Sequence, residues 1–202
     1  MIAIVDYGVG NLFSIQSSLT AIGCESLVTG KAEELAEADK IILPGVGAFG
    51  DAMDKLRHSG LDRVLIAQAR AGKPLLGLCL GMQLLLEEGL EFSRHTGLGL
   101  IAGRIVPLEG DIPPALKIPH IGWNALHFGE NKHPMFRHVE EGEHVYFVHS
   151  YHAVDCPNIS ATCEYGQEIV AAVAKDKVWG CQFHPEKSGS IGLNVLRAFC
   201  EG

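Results

Sequence analysis

Length, composition and charge limit what this chain can be. Its 202 residues are 47% hydrophobic and 20% charged, which suits one well-packed domain and excludes a disordered chain. The formal net charge of −8 disfavours nucleic acid or an anionic membrane as a partner, and no apolar run reaches the roughly 18 residues of a membrane span.

The first residues and the cysteines indicate the compartment. Residues 1–6 have no basic region before their apolar run, so they predict a first strand and not a signal peptide. The six cysteines form no C-x-x-C pair. We therefore expect a cytoplasmic protein with free thiols, no metal site and no cofactor.

The first half of the chain alternates predicted strands and helices. The apolar run at 74–78 is typical of a parallel strand buried on both faces. Gly23 is expected to end the helix at 11–22, and Gly89 is expected to end the helix at 80–88. The predicted strands lie at 2–6, 25–29, 40–43 and 74–78, and the predicted helices at 11–22, 32–38, 48–57, 61–71 and 80–88.

The second half is richer in β-branched and aromatic runs. Parallel βαβ units followed by hairpins predict an α/β fold, with an open, mostly parallel mixed sheet flanked by helices. No repeat or linker interrupts the pattern, so we expect a single domain over residues 1–202. Strands are predicted at 101–106, 121–128, 144–154, 160–164, 168–174 and 177–183, before a terminal helix at 188–200.

A G-x-C-x-G motif, Gly77-Leu78-Cys79-Leu80-Gly81, stands where a buried strand meets a helix. This context predicts a nucleophile elbow, because flanking side chains would clash in so sharp a turn and glycine is favoured on both sides. The N–H groups and dipole of the following helix would favour the thiolate of Cys79. A buried structural cysteine beside glycines that allow close helix–strand packing is the alternative.

His184-Pro185-Glu186 follows the last apolar strand. A thiolate that attacks an amide needs a proton donor for the leaving amine, and histidine is the usual one. Residues two apart in an extended segment project to the same side, so Glu186 can orient the imidazole of His184. Ordinary polar residues at an exposed strand end are the alternative.

The loop after the third predicted strand contains Gly45-x-Gly47-x-x-Gly50, which matches the dinucleotide fingerprint only in its letters. The fingerprint belongs after the first strand of its unit, with an acid about 20 residues on. We interpret the loop as a flexible backbone that, with the N–H of Leu80, stabilises a developing oxyanion. A glycine-rich turn that serves only the topology is the alternative.

Two further stretches bear on the site. Gln83 lies about one helical turn after Cys79 and could reach the same pocket. His149 and His152 lack a carboxylate or cysteine to complete a metal site, so we expect them to be ordinary core or surface histidines.

Taken together, the motifs resemble those of the class I, or triad, glutamine amidotransferases over nearly the whole chain. The cysteine motif and the His-Pro-Glu motif in this order are the specific ones. In chain order the motifs are Pro44-Gly45-x-Gly47, Gly77-x-Cys79-x-Gly81-x-Gln83, Val148-His149-Ser150-Tyr151 and Gln182-Phe183-His184-Pro185-Glu186.

The resemblance implies a mechanism. Cys79 would attack the γ-amide of glutamine, and His184, oriented by Glu186, would protonate the departing ammonia. The residues expected to hold the oxyanion are Val46 or Gly47 with Leu80, and those expected to bind the substrate are Gly47, Gln83, Ser150 and Tyr151.

Three features resemble one branch of the family, the glutaminase subunits of imidazole glycerol phosphate synthases. They are the opening segment 6–12, Met82 after the elbow glycine, and the segment 119–124. This resemblance implies a heterodimer with a (β/α)₈-barrel cyclase that receives the ammonia, and Asn11, Trp123 and Lys187 at the interface. We also expect the 45–47 backbone to rest with a donor turned away and to flip on assembly.

Four alternatives remain open from the sequence. A glutaminase of another synthase would share every catalytic residue, and a stand-alone γ-glutamyl hydrolase would need no partner. A dinucleotide-binding module would use the 45–50 loop and be insensitive to Cys79→Ala. A regulatory pseudo-enzyme would dock without chemistry.

Overall fold

The computed structural model describes all residues from 1 to 202 and contains thirteen strands and six α-helices. The strands are Ile2–Val5 (β1), Ser26–Thr29 (β2), Lys40–Leu43 (β3), Leu75–Leu78 (β4), Glu88–Gly89 (β5), His95–Thr96 (β6), Arg104–Pro107 (β7), His120–Ala125 (β8), His144–His149 (β9), Tyr151–Val154 (β10), Ile159–Glu164 (β11), Glu168–Lys175 (β12) and Val178–Cys181 (β13). The helices are Leu12–Ala21 (α1), Ala32–Glu37 (α2), Phe49–Ser59 (α3), Leu61–Arg70 (α4), Leu80–Leu84 (α5) and Gly189–Glu201 (α6), with 3₁₀ turns at Pro134–Phe136 and Pro185–Lys187.

A seven-stranded sheet organises the molecule, in the order β11-β12-β13-β4-β3-β1-β2. Five neighbouring strands run parallel, namely β2, β1, β3, β4 and β13. Strands β12 and β11 add antiparallel pairs at one edge. The predicted α/β fold with a mostly parallel mixed sheet is therefore confirmed.

Both faces of this sheet are covered, which explains why its central strands are continuously apolar. Along β1, Ala3 and Val5 pack into one buried cluster with the apolar residues of α2, α3 and α4, whereas Ile2 and Ile4 pack into a second cluster with those of α1 and α6. The two-residue period of the strand thus separates two cores.

The first helix ends as predicted and the fifth does not. Gly23 follows the last turn of α1 with φ 78°, a conformation that favours glycine. The predicted helix at 80–88 is wrong, because α5 stops at Leu84 and Gly89 lies in β5. The segment 97–101 folds back against the end of α5. The N–H groups of Leu98 and Leu100 donate hydrogen bonds to the carbonyls of Leu84 and Leu85, respectively.

Two smaller sheets were not foreseen as separate sheets. The predicted strand at 144–154 breaks at Ser150 into β9, which pairs with β8, and β10, which pairs with β7 in a four-stranded sheet. The segment 101–106 becomes a strand only from Arg104. The single domain over 1–202 stays a prediction. None of the helices is both long and apolar enough to cross a bilayer.

Candidate active site

Cys79 lies at the turn between β4 and α5. Its backbone has φ 53° and ψ −110°, an unusual conformation for a residue with a side chain. The neighbouring strand holds it there, since its N–H donates to the carbonyl of Cys181 at 2.8 Å. The elbow predicted from the sequence is present in the fold.

The two glycines of the elbow are required by contact and not only by flexibility. A Cβ at Gly77 would lie 2.7 Å from the carbonyl carbon of Gly81 and from the amide nitrogen of Met82. A Cβ at Gly81 would overlap the carbonyl oxygen of Leu43. Helix α5 therefore packs against β3 and β4 at a distance that no side chain at these two positions would allow.

The sheet order brings His184 to the cysteine. Strands β4 and β13 are parallel neighbours with Leu78 opposite Cys181, so the residues that follow each strand meet at the same edge. The segment after β13 is fixed further by the N–H of His184, which donates to the carbonyl of Tyr146 at 3.0 Å, and by Ser188 Oγ, which donates to the carbonyl of His184 at 2.7 Å.

His184 and Glu186 form a buried pair. His184 Nδ1 lies 2.8 Å from Glu186 Oε1, and their side chains are only 5% and 2% exposed. The other carboxylate oxygen, Oε2, is buried without a partner, so the hydrogen bonding of this carboxylate is directed to the imidazole. This arrangement fixes the tautomer and the orientation of His184.

The environment of His184 favours its protonated form. Burial alone acts to lower its pKa, but the interaction with Cys79 and the hydrogen bond to Glu186, together with the charges of both groups, outweigh burial and raise the pKa to about 9. His184 can therefore hold a proton that it gives to a leaving group.

Two further groups lie against the thiol. Cys79 Sγ is 3.8 Å from Gln182 Nε2 and 4.0 Å from the carbonyl oxygen of Val148. The amide of Gln182 is held in turn by Gln83, whose Nε2 donates to Gln182 Oε1 at 2.9 Å and to the carbonyl of Tyr151 at 3.3 Å. Gln83 Oε1 makes no hydrogen bond within the protein.

A cavity of about 300 Å³ opens on Cys79 and His184. All the predicted oxyanion and substrate residues line it. Glu186 does not line the cavity and contacts His184 instead. Lys187, predicted at the interface, also lines it. The lining residues are Val46, Gly47, Cys79, Leu80, Gln83, Glu91, Val148, His149, Ser150, Tyr151, His184 and Lys187.

Sequence reasoning missed Glu91, the one acidic residue in this lining. Its Oε2 accepts a hydrogen bond from the N–H of Phe49 at 2.6 Å, which holds the loop after β5 against the start of α3. No motif surrounds Glu91, and its place in the cavity depends on the early end of α5, so the sequence carried no signal for it.

The loop after β3 offers unpaired amides at the cavity. The N–H groups of Val46 and Gly47 take part in no hydrogen bond of the protein. Gly47 has φ 94°, and Leu80 is the first residue of α5, where N–H groups have no partner within the helix. These are the kinds of group that can stabilise an oxyanion.

The other two predicted interface residues lie away from the cavity. Asn11 caps α1, where its Oδ1 accepts from the N–H of Ser14 at 3.3 Å. Trp123 is 53% exposed on β8, with its ring 5.9 Å from that of Tyr146. No group of three or more His, Cys, Asp or Glu side chains is arranged to hold a metal ion.

Comparison with known proteins decides the family. The family model described as "Glutamine amidotransferase class-I" matches residues 3–201. Proteins named imidazole glycerol phosphate synthase subunit HisH are 49% identical in Bacillus cytotoxicus, over 98% of this chain and 93% of that protein, and 45% identical in Bacillus subtilis, over 98% and 95%. The chain is a class-I glutamine amidotransferase of the HisH family.

Solved structures agree on the amidotransferase fold. A crystal structure described as a glutamine amidotransferase superposes with a TM-score of 0.76 at 19% identity, over 99% of this chain and 97% of that one. PurLQS from Thermotoga maritima superposes with a TM-score of 0.75 at 22% identity, again over 99% and 97%. The fold is thus kept in proteins whose sequences have diverged far from this amidotransferase.

Proposed function

We propose that this chain is the glutaminase subunit of imidazole glycerol phosphate synthase in histidine biosynthesis, and that it hydrolyses glutamine to glutamate and ammonia. The observation that carries the proposal is one cavity that joins a cysteine on a strained elbow to a buried His–Glu pair. The names of the relatives that share nearly the whole chain support the same function.

In the first step, the Cys79 thiolate attacks the γ-carbonyl carbon of glutamine. The carbonyl oxygen becomes an oxyanion, held by the N–H of Leu80 and by an N–H of Val46 or Gly47. The carbon–nitrogen bond then breaks as His184 gives its proton to the nitrogen, which leaves as ammonia. The product on the protein is a γ-glutamyl thioester.

In the second step, water cleaves the thioester. His184, now neutral, accepts a proton from the water as its oxygen attacks the carbonyl carbon. The carbon–sulfur bond breaks, Cys79 is left as the thiolate, and the new carboxyl group loses its proton to water as glutamate leaves. Glu186 holds the imidazole in the same orientation for both steps and stabilises its charged form.

The amino-acid end of glutamine needs partners of both signs. The Glu91 carboxylate and the free Oε1 of Gln83 are suited to the α-ammonium group, and backbone groups of Ser150 and Tyr151 to the α-carboxylate. Gly47 has no side chain, and the space that its Cβ would occupy is open, with nothing within 4 Å. These residues all line the cavity.

The relatives are named as subunits, which implies a partner subunit. We propose that the partner is a (β/α)₈-barrel cyclase, which uses the ammonia to form imidazole glycerol phosphate and aminoimidazole carboxamide ribotide. Asn11, Trp123 and Lys187 would contact it, with Lys187 between the cavity and the barrel. A sealed route is needed, because ammonia released into neutral water is protonated and loses its nucleophilicity.

A glutamine analogue with an electrophilic carbon at the position of the amide tests the assignment of the nucleophile. Peptide mass mapping after brief exposure should find a single label, on Cys79, and excess glutamine should slow its formation. The half-buried Cys200 is the internal control. Labelling of Cys200 at an equal rate, or labelling of Cys79 that glutamine does not slow, would overturn the proposal.

A further inference from the structure

Two histidines that the proposed mechanism does not use face each other beside the cavity. His120 on β8 and His149 on β9 are directly opposite in the strand pair, and His120 Nδ1 lies 3.0 Å from His149 Nε2. His120 is completely buried, and the rings of Phe147 and Tyr165 stack on it with centroids 5.0 Å and 3.9 Å away. Stacking fixes the plane of the His120 ring, so its two nitrogens can form hydrogen bonds only within that plane.

The pair is the centre of a chain of four hydrogen-bonding links. At one end, Asn124 Nδ2 donates to the carbonyl of Glu164 at 2.8 Å, and Asn124 Oδ1 lies 2.7 Å from His120 Nε2. The link between the two imidazoles follows. At the other end, His149 Nδ1 lies 2.8 Å from the carbonyl oxygen of Tyr151.

Both ends of this chain are carbonyl oxygens, which only accept. Four links therefore need four protons. The Asn124 amide supplies one, to Glu164, and its oxygen then accepts from His120. Each neutral imidazole supplies one N–H. The chain is one proton short when His120 and His149 are both neutral.

The surroundings keep both rings neutral. Burial lowers the pKa of His120, and burial together with the nearby His120, His152 and His184 lowers the pKa of His149 to about 3. The carboxylate of Asp111 is engaged by His152 and that of Glu186 by His184. No carboxylate contacts either ring of the pair, so nothing compensates a positive charge there.

We propose that the His120–His149 pair is a positioning relay with two tautomeric arrangements, only one of which donates to the Tyr151 carbonyl. In the first, His149 donates from Nδ1 to Tyr151 and His120 donates from Nδ1 to His149, which leaves Asn124 Oδ1 without a donor. In the second, His120 donates to Asn124 and His149 donates to His120, which leaves the Tyr151 carbonyl without its histidine donor.

The relay connects the surface strand β8 to the substrate cavity. Ser150 and Tyr151 form the corner between β9 and β10, and without His149 the Tyr151 carbonyl keeps only the longer hydrogen bond from Gln83 at 3.3 Å. A change at Asn124, next to the exposed Trp123, therefore alters how firmly this corner is held. The inference rests on the proposed function, because it takes this corner as the place where glutamine binds.

The test is ¹⁵N NMR of the whole chain with labelled histidines, at neutral pH, on the wild type and Asn124→Leu. We expect His149 Nδ1 to be partly or wholly unprotonated in the wild type. Asn124→Leu removes the competing acceptor and should shift this nitrogen to the fully protonated position. Asn194→Leu is the matched control, since Asn194 also donates to a carbonyl, that of His138 at 2.9 Å, but lies on α6.

If Asn124→Leu does not fold, His120→Phe replaces it, because phenylalanine keeps the stacking and also leaves Tyr151 as the only acceptor for His149. Full protonation of His149 Nδ1 in the wild type, or imidazolium signals from the pair, would overturn the proposal. So would a wild-type signal that neither variant moves.

The KM for glutamine tests whether the relay affects substrate binding. If the two arrangements are equally populated and only the first binds glutamine, fixing it should lower the KM for glutamine about twofold at unchanged kcat. Absence of any glutamine turnover would count against the proposed function and leave the NMR result intact, so the two failures are distinguishable.

Discussion

At the scale of the residue, opposing effects decide the state of His184. Burial disfavours the imidazolium, whereas Cys79 and Glu186 favour it and prevail. An imidazolium beside the thiol is the proton donor that departure of ammonia requires. The raised pKa also links protonation to stability: it stabilises the fold fully below the ordinary value near 6.5, and this contribution is lost as pH rises through about 9.

The activity should follow the same titration. We expect kcat/KM for glutamate release, measured with the partner subunit present, to fall as pH rises above about 9, because His184 loses its proton. Glu186→Gln removes one of the groups that raise this pKa, so the fall should begin at lower pH. Glu141→Gln is the matched control, since Glu141 binds His127 at 2.9 Å on the surface. If kcat/KM fell at the same pH in the wild type and in Glu186→Gln, this explanation would be contradicted.

Single residues were predictable where a short sequence motif contains the chemical groups. Cys79 stands in a strand–glycine–helix context and His184 stands two residues from Glu186, so short motifs identified them, and the fold brings them to one cavity. Glu91 and Gln182 reach the site through the fold-back of 97–101 and the pairing of β4 with β13. No motif surrounds Glu91, and the motif that contains Gln182 does not show that its amide lies against the thiol of Cys79.

At the scale of the element, the elbow depends on the close approach of α5 to β3. Gly81→Ala places a methyl group on the carbonyl of Leu43 and should lower the free energy of unfolding by roughly 1–3 kcal/mol. Urea unfolding measures this. Gly129→Ala is the control, because nothing lies within 4 Å of the added atom. Equal losses in the two variants would show that packing at the elbow is not the cause.

The 45–47 loop should change its backbone when the partner binds. Gly47 has a positive φ and Val46 is 42% exposed, so little packing opposes rotation of the peptide between them. We expect a crystal structure of the free chain to show fewer than two donors aimed at the Cys79 cavity, and the complex to show two. Two donors already aimed there in the free chain would contradict the prediction.

Element boundaries were predictable where local sequence controls them. The end of α1 at Ala21 follows from Gly23, a glycine in a left-handed turn two residues later. The end of α5 at Leu84 does not, because buried leucines continue the helical pattern while residues from 97–101 capture the carbonyls that would have extended it. The break at Ser150 was hidden in the same way, since one serine in an apolar run fits an ordinary alternating strand.

At the scale of the whole molecule, strand order determines where chemistry occurs. The parallel order β13-β4-β3 places the residues that follow three strands, His184, Cys79 and the 45–47 loop, along one edge of the sheet. The class of fold was predictable from alternating helices and strands. The two smaller sheets that complete the cavity were not, because β8 pairs with β9 and β7 pairs with β10 across intervening segments of the chain.

The most direct test of the central claim is glutamate release from glutamine by the purified chain, alone and then with the proposed barrel cyclase partner and its ribotide ligand. We expect little release by the chain alone, and a large increase that requires both partner and ligand and disappears in Cys79→Ala. High release without the partner, or release that survives Cys79→Ala, would contradict the central claim.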